Sequence, residues 1–106
     1  MDRVEDLVKR VEKSGDRYLE FLRVLPMSAG VYVLPAGAVD LQLPHEQDEL
    51  YFVVRGRGRF RHGPADRPVA TGDLLFVPAH DPHQFHSIEE ELVLLVVFAP
   101  AETALL

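Results

Sequence analysis

Apolar positions recur along this chain with two different periods. Val4, Leu7, Val8 and Val11 fall at i, i+3, i+4 and i+7 with charged residues between them, which predicts a short amphipathic helix stopped by Ser14-Gly15. At about three turns such a helix is marginal alone, so its apolar stripe must dock on the domain or on a partner chain. From Arg17 onward the pattern changes to short runs rich in Val, Leu, Phe and Tyr. Strands are predicted within Tyr18–Leu25, Val31–Leu34, Leu50–Val54, Arg57–Arg61, Leu74–Val77, His83–Ile88 and Leu92–Ala99. Turn clusters around Gly37, Gly56, Gly63 and Gly72 separate them, and no second helical pattern supports βαβ units. Residues 1–15 as helix and 17–100 as strands make one all-β domain, a sandwich or barrel, over the 106 residues.

Two of these runs are apolar on both faces. Every residue of Leu50–Val54 is apolar or aromatic, and Leu92 to Phe98 contains no polar residue. A strand wetted on one side alternates, so both faces need cover from the helix or from a second subunit, and a homodimer is expected. Arg55, Arg57, Arg59 and Arg61 alternate with Gly56, Gly58, Phe60 and His62. That stripe fits an edge strand guarded by charge, or else a surface for an anionic partner.

Composition narrows the function classes. Apolar residues make up 47% and charged ones 26%, an ordinary balance for a water-soluble globular domain. There is no cysteine, hence no disulfide, thiolate nucleophile or Cys-based metal site, and any metal must be held by nitrogen and oxygen. The net charge of −6 argues against nucleic acid and anionic membrane as partners. The charged start Met1-Asp2-Arg3-Val4-Glu5-Asp6 lacks a signal-peptide core, and no apolar run is long enough to span a bilayer. A cytoplasmic location is therefore expected.

The candidate chemistry lies at the heads of two apolar strands. His45, Gln47 and Glu49 share one face of an extended segment that continues into Tyr51. A carboxylate entering an apolar strand is costly to bury unpaired; a metal, an arginine or exposure at a barrel mouth would each resolve that cost. Farther on, Gly72-Asp73 turns into four apolar residues and Pro78, and Pro82 fixes the chain before His83, which shares a face with Phe85. Tyr51, Phe60, Phe76 and Phe85 are the expected aromatic lining of an interior able to take a small ligand.

These two segments resemble the paired motifs of the cupin superfamily, small β-barrels of the double-stranded β-helix or jelly-roll type. Gly37, His45, Glu49 and Gly56 match the first motif, and Gly72, Pro78 and His83 match the second, over roughly residues 30 to 99. Leu43 stands where the family places a first histidine, His80 where it places glycine, and Ser87 where it places asparagine. The resemblance implies a divalent metal (Fe, Zn, Ni or Mn) held by His45, Glu49 and His83, with Gln47 able to add a weak amide contact. It further implies either a metal-dependent dioxygenase or related enzyme acting on a small organic molecule, or a non-catalytic binding or sensing module. A third possibility is a metal-free polar cluster in a structural dimer. No catalytic acid or base can be assigned.

Overall fold

The ladder pairing Asp48–His62 with His83–Ala99 continues across Arg55-Gly56 and across Glu89-Glu90-Glu91, so two predicted strand pairs are single long strands. The computed structural model describes residues 1–103. Helix α1 (Val4–Ser14) is followed by β1 (Tyr18–Val24), β2 (Met27–Leu34), β3 (Asp48–His62), β4 (Ala65–Ala70), β5 (Leu74–Val77) and β6 (His83–Ala99). At Arg55-Gly56 the chain bulges rather than turning back: the β3–β6 register shifts between Val53 and Arg59, with Gly56 at φ 99° and Ser87 in β6 at φ 49°. Bulges add local twist, and here they bend the central strand pair so that one continuous ladder wraps the core.

The strands form a single antiparallel sheet in the order β1-β2-β6-β3-β4, with β5 pairing β3 beyond β4. Curled on itself, this is an all-β jelly roll. Alternate residues of the long strands (Tyr51, Val53 and Phe60 of β3; Phe85, Leu92, Leu94, Val96 and Phe98 of β6) fill its interior. β4 was not visible as a strand because Val69 alone of its residues is buried, and Pro68 sits in a strand paired on one side, where a missing N–H is tolerated.

Helix α1 ends on Gly15 at φ 79°, the left-handed cap that glycine adopts without strain. Leu7, Val8 and Val11 pack on Val31 and Val33 of β2 and on Val93 of β6, forming a second apolar layer outside the sheet. Each buried side chain of this kind contributes about 1.5–3 kcal/mol, which is what holds so short a helix in place. The helix therefore covers part of the doubly apolar surface and leaves another part open. On the far side, Leu50 pairs with Phe76 and Phe52 with Leu74, all four exposed on the outer face. Phe76, expected among the interior aromatics, is 58% exposed, because Val77 is the β5 residue whose parity points inward.

The arginine stripe lies on an interior strand, not an edge, since β3 has β6 on one side and β4 and β5 on the other. Its charges are matched locally: Arg55 pairs with Glu5, Arg57 with Glu89 and Glu90, and Arg59 and Arg61 with Asp66. Pairing within the chain, across strands and with α1, thus meets each of the four arginines. Among the described residues, no helix is long and apolar enough to cross a membrane.

Candidate functional site

The two sequence segments meet at one end of the barrel. The His80 amide donates to the His45 carbonyl at 2.7 Å, tying the loop before β3 to the loop before β6. His80 itself sits at φ 70°, in the left-handed region that favours glycine. Beneath this tie, His45, Gln47, Glu49, Tyr51, His83 and Phe85 are all buried, as the parity of the two segments requires.

Glu49 and His83 form the centre. His83 Nε2 lies 3.0 Å from Glu49 Oε1, with both side chains no more than 1% exposed. On its other edge His83 Nδ1 donates to the Asp81 carbonyl at 2.9 Å. That bond fixes the ring orientation and leaves Nε2 facing the interior. Burial pulls the His83 pKa down, but the hydrogen bonds to Glu49 and the Asp81 carbonyl and the charges of Glu49 and Asp40 outweigh it, and the net shift is upward. Glu49 Oε2 is buried with no hydrogen-bond partner among the described residues.

Tyr51 stands beside this pair, its oxygen 3.0 Å from His83 Nε2, and donates to Gln42 Oε1 at 3.1 Å. Burial first, and then the charge of Glu49, push its hydroxyl pKa well above the ordinary value, so it remains a protonated donor. Gln42 Oε1 also lies 3.3 Å from His45 Nε2. The amide and the phenol therefore stand between the two imidazoles, whose ring centres are 6.2 Å apart. On its other side His45 Nδ1 is paired with the Glu102 carboxylate. Gln47 donates to Thr103 Oγ1 at 2.9 Å, while its buried Oε1 has no partner among the described residues.

Asp40 organises the network from behind. It accepts from the Tyr32 hydroxyl (2.8 Å), the Gln42 side-chain amide (2.9 Å) and the Phe85 backbone amide (3.0 Å). By taking the NH₂ of Gln42 it turns that residue's carbonyl toward His45 and Tyr51. A groove of about 380 Å³, lined by Asp40, Gln42, Arg61, His83 and Gln84 among others, connects the cluster to solvent.

The structure thus brings Glu49 and His83 together and turns His45 toward Glu102 and Gln42. As placed, no three His, Asp or Glu side chains among the described residues form a group that could hold a metal ion. The Glu49–His83 pair does match a cation in donor chemistry: a partnerless buried carboxylate oxygen lies beside an imidazole nitrogen aimed inward.

Asp40, Gln42 and Glu102 escaped the sequence reading. In Val39-Asp40-Leu41-Gln42-Leu43 the alternation points the wrong way: Val39, Leu41 and Leu43 are 59%, 77% and 77% exposed, while Asp40 is 3% exposed. This segment is not a strand and carries no strand parity. Leu43 leaves no apolar gap in the site, because it faces solvent and Gln42 serves the interior instead. Glu102 had no local signal at all, since its partner His45 lies far away in sequence.

Comparison with known proteins agrees with this architecture. The family model described as a cupin domain matches residues 30–98. An uncharacterized protein of Streptomyces coelicolor is 46% identical over 101 residues, covering 95% of this chain and 96% of that protein. A double-stranded β-helix protein from Klebsiella pneumoniae superposes with a TM-score of 0.77 at 16% identity, over 94% of this chain and 89% of the other. The DMSP lyase DddQ of Ruegeria pomeroyi superposes with a TM-score of 0.70 at 24% identity, over 82% of this chain and 49% of the lyase. This chain spans about half the length of that lyase, and at these identities the two structures share its fold alone.

Proposed function

This chain belongs to the cupin family, and on that premise we propose that its barrel holds a divalent metal cation at Glu49 and His83, with His45 as third ligand, for use on a small organic molecule. The observation that carries this reading is Glu49. Its side chain is 1% exposed, one oxygen meets His83, and the other has no partner among the described residues. Burying such a carboxylate costs several kcal/mol unless positive charge meets it. Fe, Zn, Ni and Mn suit the nitrogen and oxygen donors, and such an ion supplies Lewis acidity or, for iron, dioxygen chemistry. The chain's own residues do the rest. The Asp81 carbonyl holds His83 in orientation, the protonated Tyr51 hydroxyl can donate to a ligand oxygen, the Gln42 carbonyl can accept from a ligand O–H or N–H, and the groove past Arg61 admits the ligand.

Metal content of tag-free protein tests this, together with Glu49→Ala, His83→Ala and His45→Ala variants. Stoichiometric metal in the parent, lost from each variant, is the expected outcome. At a hundredfold excess over the dissociation constant, added metal should stabilise the parent by about 2.7 kcal/mol. A parent that stays metal-free and gains no thermal stability from any of the four ions would defeat the reading. A second reading is a metal-free binding module, favoured by Gln42 and Tyr51 standing between the imidazoles. It predicts an unchanged unfolding midpoint after chelation.

We further propose that Leu50, Phe52, Leu74 and Phe76 form the contact face of a homodimer. They are neighbours across β3 and β5, and α1 covers a different part of the sheet.

A further inference from the structure

Beyond β6 the chain turns back across the β1–β2 hairpin and sends one side chain inward. Arg23 donates to the Glu102 carbonyl at 2.6 Å, and the Glu102 amide donates to Ser28 Oγ at 2.8 Å. The Ala101 amide reaches the Leu25 carbonyl at 3.4 Å. Pro100 and Thr103 are exposed and Ala101 is half-buried, so Glu102, 3% exposed, is the one buried residue of the segment 100–103. A stretch of chain outside the sheet has thus carried a carboxylate into the barrel, the most expensive cargo it could deliver without a receptor.

The receptor is present. Its first element is His45 Nδ1, which faces the Glu102 carboxylate while the His45 ring packs on Phe98 with centres 4.8 Å apart. Its second is Tyr18, whose ring centre lies 6.4 Å from that of the same Phe98 and whose hydroxyl is buried with no hydrogen-bond partner among the described residues. Close packing of the Tyr18 ring over Gly30, where a side chain would collide with it, holds that hydroxyl in place.

We infer that His45 and the Tyr18 hydroxyl form a carboxylate-recognition subsite, that Glu102 is the tethered occupant of its His45 half, and that the barrel's ligand is a small organic acid whose carboxylate displaces Glu102 and takes up the Tyr18 hydroxyl as well. The inference shares with the proposed function the barrel interior as ligand site, and it needs no cation. A short tether gives its end group an effective concentration on the order of millimolar. Glu102 thereby sets a threshold: weakly bound acids are excluded, and an acid that also engages Tyr51 or Gln42 through a second polar group can win.

The test uses the full-length, chelator-treated protein with Glu102→Ala and Glu102→Gln, acetate as probe and acetamide as its neutral counterpart. Acetate should raise the unfolding midpoint of Glu102→Ala saturably, with an apparent dissociation constant about tenfold below that of the parent. Acetamide should not. An equal response of parent and variant to acetate, or of the variant to both probes, overturns the inference. If Glu102→Ala does not fold, Glu102→Gln is titrated in its place. In the parent, backbone amide resonances of Ala101, Glu102 and Thr103 should move as acetate saturates, and resonances that stay fixed count against displacement. Metal content measured on the same variants separates the two proposals: acetate rescue in a protein that never takes metal sinks the cation alone, and metal uptake without rescue sinks the carboxylate subsite alone.

Discussion

Replacing Asp40 by alanine removes the group that the loop before β3 is built around, and the structure sets the size of the effect. Two of its donors belong to buried residues: the Tyr32 hydroxyl, on a residue 4% exposed, and the Phe85 amide, on a residue that is 0% exposed. Each stranded buried donor costs about 1–3 kcal/mol, or about 2–6 together. Gln42 lines the groove and can turn to water, so it adds little. Deleting a buried carboxylate also relieves its own desolvation, which places the expected loss for Asp40→Ala at about 2–4 kcal/mol. Against a total stability of about 5–15 kcal/mol that is a large fraction. Asp40→Asn keeps one acceptor oxygen and should lose about 1–3 kcal/mol, less than the alanine variant. Urea unfolding followed by far-UV circular dichroism, with an unchanged denaturant slope, measures both. A loss under about 1 kcal/mol for Asp40→Ala, the ordinary range for an unremarkable substitution, would refute the claim that Asp40 is the organiser.

Other outcomes follow from the same geometry. His80→Gly should stabilise the protein by about 0.5–1 kcal/mol, since it removes left-handed strain of about 1–2 kcal/mol and gives part of it back in chain entropy; a destabilised variant would contradict this. The His83 pKa is raised above its ordinary 6.5 in the folded state, so the stability it contributes is complete below that value and is lost as pH rises through the folded pKa. Metal-stripped protein should accordingly be more stable near about pH 6 than near about pH 8, and His83→Gln should flatten that slope; the same slope in both proteins would rule His83 out as its source. Phe76→Asp should convert a dimer to a monomer in sedimentation at micromolar concentration, and a parent that is already monomeric there removes the proposed interface.

The legible parts of this molecule are those where strand parity holds. His45, Gln47, Glu49 and Tyr51 point inward together because the segment runs extended into β3, and Phe85 follows His83 into the core for the same reason. The chain becomes opaque where parity lapses. Leu41 and Leu43, the latter standing where a first histidine is expected, lie in solvent, since the loop that holds them is shaped by Asp40 rather than by pleating. Phe76 reads as lining because it is large and aromatic, but its neighbour Val77 takes the inward register opposite Glu49. The double role of Gly56, a turn in the pattern and a bulge in the fold, depends on β6 lying alongside to continue the ladder. Glu102 depends on the whole barrel having closed before its partner exists.

The placement of the aromatic hydroxyls has a practical consequence. The protein has three tyrosines and no tryptophan; Tyr32 and Tyr51 are buried in the core with their hydroxyls on Asp40 and beside His83, and Tyr18 packs partly buried against that core. Its tyrosine absorption and emission therefore come from phenols in the core or packed against it. A ligand that reaches the Glu49–His83 centre meets Tyr51 beside His83, so the unlabelled protein is its own optical sensor for ligand screening.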